Sequence, residues 1–464
     1  MNQKTNLPLE VVILAAGKGT RMFSDLPKVL HPLAGRPLVE HVAVLARGLA
    51  PQRVHIVYGY GGERVVRALD HLDVLWALQA QQKGTGHALQ QALPGVAPEA
   101  VVLVLYGDVP LTRSDTLRPL VQAARAGDLA LLTMELADPT GYGRILRDAL
   151  GRVRAIVEQK DATPDQLKLR EVNTGILAVA ATHLKKWLAV LKSDNAQGEY
   201  YLTDIIAMAV ADGVTISTTQ PAAAWEVMGI NNKVQLAELE RIAQNNKARE
   251  LMERGVTLMD PARFDLRGSL ETGRDVVIDV NVVFEGHVVL GDRVHIGPNN
   301  VIRDSRIAAD TRIHPNCVIE QALIGADCRI GPFARIRPDS ELGAHAHIGN
   351  FVEIKKSQVG EGSKINHLSY VGDSTVGKHV NIGAGSITAN FDGANKHRTV
   401  IGDNASIGSD CTLVAPVTVG AGATVGANTT ITQDVPPHSL AIGRVKQKIV
   451  MGWKRPVKAE KREK

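Results

Sequence analysis

The sequence predicts two parts, an α/β domain with a mostly parallel sheet followed by a parallel β-helix. In the first half, short apolar segments alternate with helical segments and run into glycine-rich loops, which is typical of a parallel sheet covered by helices. In the second half, apolar residues recur every six positions, a period that a helix does not use. One such run is Ile324, Ile330, Ile336, Leu342, Ile348 and Ile354. A chain of 464 residues also exceeds what one hydrophobic core usually supports.

Composition is that of a folded, soluble protein, with 44% apolar and 22% charged residues. The net charge of +5 is mild, and a nucleic-acid role would need a basic stripe with interleaved aromatic residues, which is missing. The cysteines Cys317, Cys328 and Cys411 have no CxxC spacing, so we expect packing residues in a reducing compartment. No apolar run has membrane-spanning length and the start lacks a signal core. We therefore expect a cytoplasmic protein that does not bind membranes.

The first apolar run, residues 10–16, leads directly into Gly17-Lys18-Gly19-Thr20-Arg21-Met22. We expect a buried strand and a glycine-rich loop whose two cations suit a phosphate chain. The loop is neither a dinucleotide fingerprint, because Met22 stands at the third glycine position, nor a P-loop. The alternative is an ordinary strand-to-helix turn, but Lys28 follows closely and favours phosphate binding.

The alternation continues with a strand at residues 54–58, a helix at 62–69 and a strand at 74–78. The last of these runs into a second glycine loop, residues 79–87. Because ligands of parallel sheets bind at the carboxyl ends of the strands, this loop is a second candidate for ligand contact.

Residues 100–106 form the most apolar strand of the first half and run into Gly107-Asp108. A carboxylate where a central strand stops is well placed to hold Mg²⁺ against phosphate oxygens. The alternative is that Asp108 is a simple turn aspartate.

A long charged helix is predicted from about residue 232 to residue 254. It would span about 33 Å and act as a semi-rigid spacer. Asn231 precedes it and would, by itself, be an N-cap. We therefore expect an α/β domain at residues 1–230, a linker helix at 231–254, and a β-helix with a basic C-terminal tail at 255–464.

Each six-residue repeat of the second half supplies a flat strand and a corner, so three repeats close a triangular coil with its aliphatic side chains inside. The low aromatic content of 4% fits such a narrow interior. A β-sandwich is the alternative, but its turns would not recur every six residues. A polar insertion at residues 388–399 interrupts the repeat with Asn-Phe-Asp-Gly turn chemistry, and function tends to lie in such insertions.

The segment Leu14-Ala15-Ala16-Gly17-Lys18-Gly19-Thr20-Arg21-Met22 resembles the signature of sugar-nucleotide pyrophosphorylases. With a hexapeptide β-helix behind it, nearly the whole chain resembles the bacterial bifunctional N-acetylglucosamine-1-phosphate uridyltransferase/glucosamine-1-phosphate acetyltransferase family. The resemblance extends to Gly141-Tyr142-Gly143-Arg144, Val157-Glu158-Gln159-Lys160, Glu171-Val172-Asn173-Thr174-Gly175 and Gly229-Ile230-Asn231-Asn232. It implies a Rossmann-like nucleotidyltransferase domain followed by a left-handed parallel β-helix.

The resemblance implies two reactions in the synthesis of UDP-N-acetylglucosamine. On the β-helix, acetyl-CoA acetylates glucosamine-1-phosphate. In the α/β domain, UTP with Mg²⁺ reacts with N-acetylglucosamine-1-phosphate and releases pyrophosphate. One alternative is a sugar-nucleotide pyrophosphorylase whose β-helix is structural or regulatory. Another is a non-enzymatic scaffold like the exchange-factor subunits of translation initiation, against which the joint presence of Lys28, Asp108, Asn231 and His367 argues.

The resemblance also implies the residues of the nucleotidyl-transfer site. Asp108 and Asn231 would hold Mg²⁺, and no general base is needed because the sugar phosphate is already an anionic nucleophile. The triphosphate would lie against Gly17, Lys18, Gly19, Arg21 and Lys28. The uracil contacts would be Leu14, Ala15, Gln79, Gly84 and Thr85, and the sugar side would use Tyr106, Gly107, Gly143, Glu158 and Asn173. The residues alone do not distinguish uridine from other bases.

Acetyl transfer needs a neutral amine, so a group with a pKa near 7, such as histidine, should lie beside it. Composition does not choose among His345, His347, His367, His379 and His397. The segment Lys364-Ile365-Asn366-His367-Leu368-Ser369-Tyr370 matches the family and implies that His367 is the base.

By the same resemblance, the sugar phosphate of the acetylation site would contact Arg337, Lys355, Tyr370 and Asn381. Acetyl-CoA would contact Ala384, Asn390, Phe391, Ser409, Ala427 and Arg444. Phe391 departs from the family, which often has tyrosine there, and acetyl-CoA binding would be weaker if that hydroxyl mattered. A homotrimer is implied, because sites of this kind form between neighbouring β-helices.

Overall fold

The computed structural model describes residues 7–458. The chain divides into two compact units, of which the first ends at Lys247 and the second begins at Ala248. Residues beyond Lys458 in the predicted basic tail lie outside the described part. Within residues 7–458, no helix is long and apolar enough to cross a membrane.

The first unit contains a nine-stranded sheet and a short two-stranded sheet, with helices between the strands. The strands are β1 (Leu9–Leu14), β2 (Pro32–Leu33), β3 (Arg36–Pro37), β4 (Arg53–Tyr58), β5 (Leu75–Leu78), β6 (Val101–Tyr106), β7 (Leu129–Glu135), β8 (Arg144–Arg147), β9 (Val153–Val157), β10 (Glu171–Ala180) and β11 (Ile216–Thr219). The α-helices are α1 (Leu38–Arg47), α2 (Gly62–Ala68), α3 (Thr85–Ala92), α4 (Ser114–Arg125), α5 (Pro164–Leu167), α6 (Ala181–Leu188) and α7 (Ile205–Ala211). A further helix, α8 (Lys233–Glu253), begins in the first unit and ends in the second. Short 3₁₀ turns are Thr20–Met22, Lys28–Leu30, Leu93–Gly95, Leu202–Asp204 and Ala224–Val227.

The large sheet has the order β11-β7-β10-β6-β1-β4-β5, with β8 paired to β10 and β9 paired to β8. β10 is antiparallel to β6 and β7, whereas β1, β4, β5 and β6 run parallel. The predicted mostly parallel sheet is therefore confirmed. Every residue of β1 is buried, because apolar side chains on both faces of this central strand are covered.

The second unit is the predicted parallel β-helix, with three faces of short stacked strands. One face is Thr257–Leu258, Val277–Ile278, His295–Ile296, Arg312–Ile313, Arg329–Ile330, His347–Asn350, Lys364–His367, Asn381–Ile382, Ser406–Ile407, Thr424–Val425 and Leu440–Ala441. The other two faces begin with two long strands, Phe264–Thr272 and Val282–Leu290. Each of these strands turns a corner and contributes to both faces. The second face continues with Val301–Arg303, Val318–Glu320, Arg335–Ile336, Glu353–Lys355, Tyr370–Gly372, Ile387–Ala389, Thr412–Val414 and Thr430–Ile431. The third continues with Arg306–Ile307, Ala322–Ile324, Ser340–Leu342, Gln358–Val359, Ser374–Val376, Thr399–Ile401 and Val417–Val419.

The six-residue period places its aliphatic side chains inside the coils. Ile330 lies between Ile313 and Ile348 in neighbouring strands, and Ile330 and Ile348 are fully buried. The three cysteines are free and buried within the same core, which confirms that they are packing residues. The residue before each inward aliphatic side chain points outward, as Arg329 does.

Truncation of an inward side chain should therefore destabilise this unit far more than truncation of its outward neighbour. We expect Ile330→Ala to lower the free energy of unfolding by about 3 kcal/mol, because it leaves a cavity between packed coils. Arg329→Ala, in the same strand, should change it by less than about 0.5 kcal/mol. Calorimetric unfolding of both variants measures the difference, and equal shifts would contradict the inward placement.

Candidate active sites

The glycine-rich loop after β1 folds back against Lys28. Gly19 has a φ of 61°, and a Cβ atom there would lie 2.5 Å from the Cβ of Lys28. A side chain at this position would therefore displace Lys28 as well as strain the backbone. Gly17 faces open space instead, so its backbone is free for a ligand to approach. Arg21 is exposed on the following 3₁₀ turn.

The two predicted metal ligands, Asp108 and Asn231, both contact the ammonium group of Lys28. The Lys28 Nζ forms an ion pair with Asp108 Oδ2 and lies 3.1 Å from Asn231 Oδ1. A backbone hydrogen bond of 2.9 Å from Ile230 N to Asp108 O holds the two segments together. Carboxylate and amide oxygens are ligands that Mg²⁺ accepts, with water and phosphate completing its shell. The pair therefore fits a magnesium ion, although residues 7–458 contain no cluster of three or more His, Cys, Asp or Glu side chains placed to hold a metal.

Helix α8 does not use Asn231 as its N-cap. The helix begins at Lys233, and Asn232 Oδ1 accepts from Gln235 N over 2.8 Å, which is the capping bond. The Asn231 side chain is thereby left for Lys28 and Asp108. The alternative that Asn231 is the N-cap is wrong, because the neighbouring Asn232 is the N-cap. The helix starts at Lys233, one residue later than expected.

A cavity of about 440 Å³ opens beside this pair at the carboxyl ends of β1, β5 and β6. The predicted site residues that line it are Leu14, Ala15, Gly17, Lys18, Lys28, Gln79, Gly84, Thr85, Tyr106 and Asp108. Gly107 stands at its edge, where its N donates to Leu14 O over 2.9 Å. Gln82 and Glu199 also line the cavity and were not predicted. Gln82 belongs to the second glycine loop, which was a signal for it, whereas Glu199 comes from a loop without a recognisable motif.

The residues predicted for the sugar lie together, and the charge of Glu158 acts on Tyr106. A Cβ atom on Gly143 would lie 3.4 Å from Glu158 Oε2, and Asn173 N donates to Gly143 O over 2.9 Å. Burial raises the pKa of the Glu158 carboxyl, and the nearby charges of Asp161 and Asp204 raise it further, against a hydrogen bond from Thr203. Burial, followed by the charges of Glu158 and Asp108, also raises the pKa of Tyr106.

On the β-helix, His367 ends the strand Lys364–His367 and is exposed. Its Nδ1 lies 2.8 Å from Asn350 Oδ1, in the neighbouring strand. With this amide oxygen as the acceptor, a neutral His367 ring carries its proton on Nδ1 and a lone pair on Nε2. Asn350 was not predicted, since only the stacking of the coils brings it beside His367.

The predicted sugar-phosphate residues surround the same region of the β-helix. Arg337 pairs with Glu353, Nη1 to Oε1, over 2.7 Å. Lys355 lies next to Lys396 of the polar insertion, and its ammonium group lowers the pKa of Lys396. Lys396 was missed by the residue-level prediction, although the insertion itself was singled out. Asn381 is exposed in the strand that follows His367 on this face.

The polar insertion is held in a defined shape beside Tyr370. Asn390 is buried and donates from Nδ2 to Asp373 Oδ2 over 2.6 Å. Its Nδ2 is also 3.4 Å from the Tyr370 hydroxyl. Phe391 forms an isolated backbone bridge with Lys396, and its side chain is 60% exposed. At this position the chain therefore contributes backbone structure to the loop.

The other predicted acetyl-CoA contacts follow one corner of the β-helix. Ala384, Ser409 and Ala427 stand in successive coils, as shown by hydrogen bonds from Asp410 N to Ala384 O and from Asn428 N to Ser409 O, 2.7 and 2.8 Å long. Arg444 donates from Nη1 to Ala427 O over 3.0 Å. Three small side chains thus stand in successive coils, and Arg444 lies against the last of them.

The two units belong to two transferase classes. The model of the MobA-like NTP transferase domain matches residues 11–258. The model of the GMPPB C-terminal domain matches residues 267–348, and six bacterial transferase hexapeptide repeats match residues 398–433. The class is therefore a nucleotidyltransferase joined to a hexapeptide-repeat transferase.

Full-length relatives give the family. The chain is 60% identical over 453 residues to the bifunctional protein GlmU of Thiobacillus denitrificans, covering 98% of this chain and 99% of that one. It is 60% identical over 450 residues to that of Azoarcus sp., covering 97% and 100%, and 56% identical over 450 residues to that of Chromobacterium violaceum, covering 97% and 99%. The chain belongs to the bifunctional GlmU family, as the sequence motifs predicted.

The raised pKa of Glu158 gives a prediction about stability. A carboxyl with a folded-state pKa above its unfolded value destabilises the fold fully above the folded pKa and not at all below the unfolded pKa. Glu158→Gln should therefore raise the thermal midpoint of the first unit at pH 7.5, and the gain should shrink as the pH falls toward 4.5. Glu99→Gln, at an exposed carboxylate, is the control and should not show this trend.

Proposed function

We propose that this chain makes UDP-N-acetylglucosamine in two steps, acetylation of glucosamine-1-phosphate on the β-helix and uridylyl transfer from UTP in the first unit. The observation that carries the proposal is the convergence of Asp108 and Asn231 on one cation at the mouth of a cavity of about 440 Å³. Family membership supports the combination of both activities in one chain. The cytoplasmic location expected from the sequence stays a prediction.

In uridylyl transfer, an oxygen of N-acetylglucosamine-1-phosphate attacks the α-phosphorus of UTP, and pyrophosphate leaves. Two anions must meet, so neutralising charge is the main task of the site. Mg²⁺, held by Asp108 and Asn231, would supply charge neutralisation on the phosphate oxygens. Lys18, Arg21 and Lys28 add positive charge from the loop side. No residue has to remove a proton, because the nucleophile is already ionised.

The sugar would lie between Tyr106 and Glu158. Glu158 Oε1 already accepts from Thr203 over 3.0 Å, which leaves its second oxygen to accept from a sugar hydroxyl. Tyr106 is un-ionised at neutral pH, as tyrosine ordinarily is and as the raised pKa ensures, so its hydroxyl can donate. Asn173 would add an amide to the same subsite.

In acetyl transfer, His367 Nε2 would accept a proton from the sugar amine while the amine nitrogen attacks the thioester carbonyl carbon. The carbon–sulfur bond then breaks, and the thiolate of coenzyme A takes the proton. The bond to Asn350 supports this role, because it fixes the tautomer with a free Nε2. Lys355, Lys396 and Arg337 would bind the sugar phosphate, whose two negative charges relieve the repulsion between the two lysines.

We propose a homotrimer in which neighbouring β-helices complete the acetylation site. Support comes from an apolar corner next to His367, formed by Phe333, Phe351 and Leu368 in successive coils. The rings of Phe333 and Phe351 stack at 5.2 Å between centroids, yet they are 49% and 55% exposed. All three residues have φ between 48° and 57°, a conformation that bulky side chains avoid. An exposed apolar strip kept at the expense of strain fits a contact with another copy of the chain.

Separate single substitutions should uncouple the two proposed activities. Asp108→Ala should lower uridylyl transfer by at least about a hundredfold, because a ligand of the metal is lost, and leave acetyl transfer unchanged. His367→Ala should lower acetyl transfer by a similar factor, because the general base is lost, and leave uridylyl transfer unchanged. An assay of wild type and both variants with acetyl-CoA, glucosamine-1-phosphate and UTP measures both rates.

The same assay separates the rival functions. Unchanged acetyl transfer in His367→Ala, or none in wild type, would favour a pyrophosphorylase with a structural β-helix. No UTP turnover by wild type with Mg²⁺ would favour the scaffold. His379→Ala, at another histidine of the β-helix, is the matched control and should keep both activities.

The apolar corner should matter for assembly and for acetyl transfer only. Phe351→Asp is expected to reduce the molar mass in solution to that of one chain, because a charge would be buried between copies. Acetyl transfer should fall with it, while uridylyl transfer should persist. Light scattering and the two assays test this, with Leu150→Asp, at an exposed leucine of the first unit, as the control. A trimer with full acetyl transfer in Phe351→Asp would refute the assignment of this corner.

A further inference from the structure

Two protein groups hold the side-chain amide of Gln79 in one orientation, and this orientation bears on which base the cavity accepts. Gln79 is 2% exposed and lines the cavity. Its Nε2 lies 3.1 Å from Gly84 O and 3.0 Å from His87 Nδ1. His87 is half-buried and does not line the cavity, so it contacts Gln79 from outside the cavity.

The two contacts determine which way the amide faces. A backbone carbonyl only accepts hydrogen bonds, so the nitrogen of the Gln79 amide must face Gly84 O. The same nitrogen faces His87 Nδ1, which must therefore be the unprotonated ring nitrogen. Burial and the charge of Lys83 lower the pKa of His87, against a backbone hydrogen bond at Gln81. The ring is thus neutral at neutral pH and can accept at Nδ1.

The opposite atom of the amide, Oε1, is left for a ligand. Among residues 7–458 no hydrogen-bond donor contacts Oε1. This oxygen is also not one of the fully buried side-chain atoms without a partner, so part of its surface is accessible. Since Gln79 lines the cavity, this oxygen is a hydrogen-bond acceptor presented to whatever occupies it. At this point the cavity wall therefore presents a hydrogen-bond acceptor rather than a donor.

The loop that carries these groups cannot easily readjust. Tyr200 N donates to Lys83 O and Gly86 N donates to Tyr200 O, over 2.9 and 2.8 Å. Gly84 has a φ of 104°, and a Cβ atom there would lie 2.7 Å from Tyr200 O. The loop is thus fastened on both sides of Gly84, and Gly84 O is a fixed acceptor.

Pyrimidine bases differ at the atom that would meet Oε1. Uracil and thymine carry a hydrogen on N3 and donate there, whereas N3 of cytosine is an acceptor. An acceptor opposite N3 stabilises the first two and leaves cytosine with two facing lone pairs, which is strongly unfavourable in a buried site. We propose that His87 is a positioning residue which fixes the Gln79 amide and thereby selects uracil over cytosine. The proposal rests on the proposed uridylyl transfer and supplies its base specificity.

The test compares His87→Phe with His87→Asn in the full-length chain. Phenylalanine keeps the flat ring but removes the acceptor, whereas asparagine can present Oδ1 near the position of Nδ1. For each variant, kcat/KM is measured with UTP, CTP and dTTP in the presence of Mg²⁺ and N-acetylglucosamine-1-phosphate. We expect the ratio of UTP to CTP to fall about tenfold in His87→Phe, the effect of one lost orienting hydrogen bond, and to stay within about threefold of wild type in His87→Asn.

The ratio of UTP to dTTP is the internal control, because thymine presents the same N3–H. It should not change in His87→Phe. An equal fall of both ratios would mean that the pocket has merely loosened, and would overturn the inference. So would an unchanged ratio of UTP to CTP, or an equal loss in the phenylalanine and asparagine variants. Failure of wild type to use UTP at all would instead refute the proposed function.

A double substitution tests whether His87 acts through Gln79, including the case in which the single variant has low activity. Gln79→Ala removes the oxygen on which selection depends, so adding His87→Phe to it should not change the ratio of UTP to CTP further. Thermal shifts produced by UTP and by CTP give the same comparison without turnover. If His87→Phe lowered the ratio equally with and without Gln79, His87 would not act through Gln79.

Discussion

The hydrogen bonds of β1 to both of its neighbours hold the first site together. Leu14 lies opposite Val57 in β4 and Tyr106 in β6. The loops after these strands consequently open at one level, and Gln79 joins them because its N donates to Tyr58 O over 2.8 Å. A slip of one residue in β1 would turn every side chain of the strand to the other face of the sheet. The elements proposed to bind phosphate, base and metal thus depend on one register.

In the second unit, the stacking of successive coils holds the candidate site together. Asn350 and His367 are 17 residues apart, yet they are paired directly in neighbouring strands. The inward aliphatic column fixes this pairing, since a coil that shifted would expose its isoleucine residues. The core of the β-helix therefore sets the contact between its candidate catalytic histidine and Asn350.

The sequence was sufficient for features that depend on local pattern. The six-residue period predicted the coils, and an apolar run ending in a polar residue predicted the position of Asp108 at a strand end. It was insufficient where contacts come from distant segments. Asn350 has no local signal, because it acquires its role from a neighbouring coil, and Lys396 was indicated only through the polar insertion that contains it. Whether Asn231 or Asn232 capped α8 could not be predicted either, since two adjacent asparagines suit the position equally and only contact with Lys28 distinguishes them.

Both candidate sites keep arrangements that destabilise the empty protein. Glu158 is half-buried with Asp161 and Asp204 nearby, and Lys355 lies against the exposed Lys396. Folding alone would favour opposite charges at these places, because like charges repel each other. A bound sugar hydroxyl can use the Glu158 carboxylate, and a phosphate can bind both lysines at once. In the proposed acetylation site, a phosphate between Lys355 and Lys396 would relieve their repulsion, so the contact that lowers stability there would increase the affinity for a phosphorylated sugar.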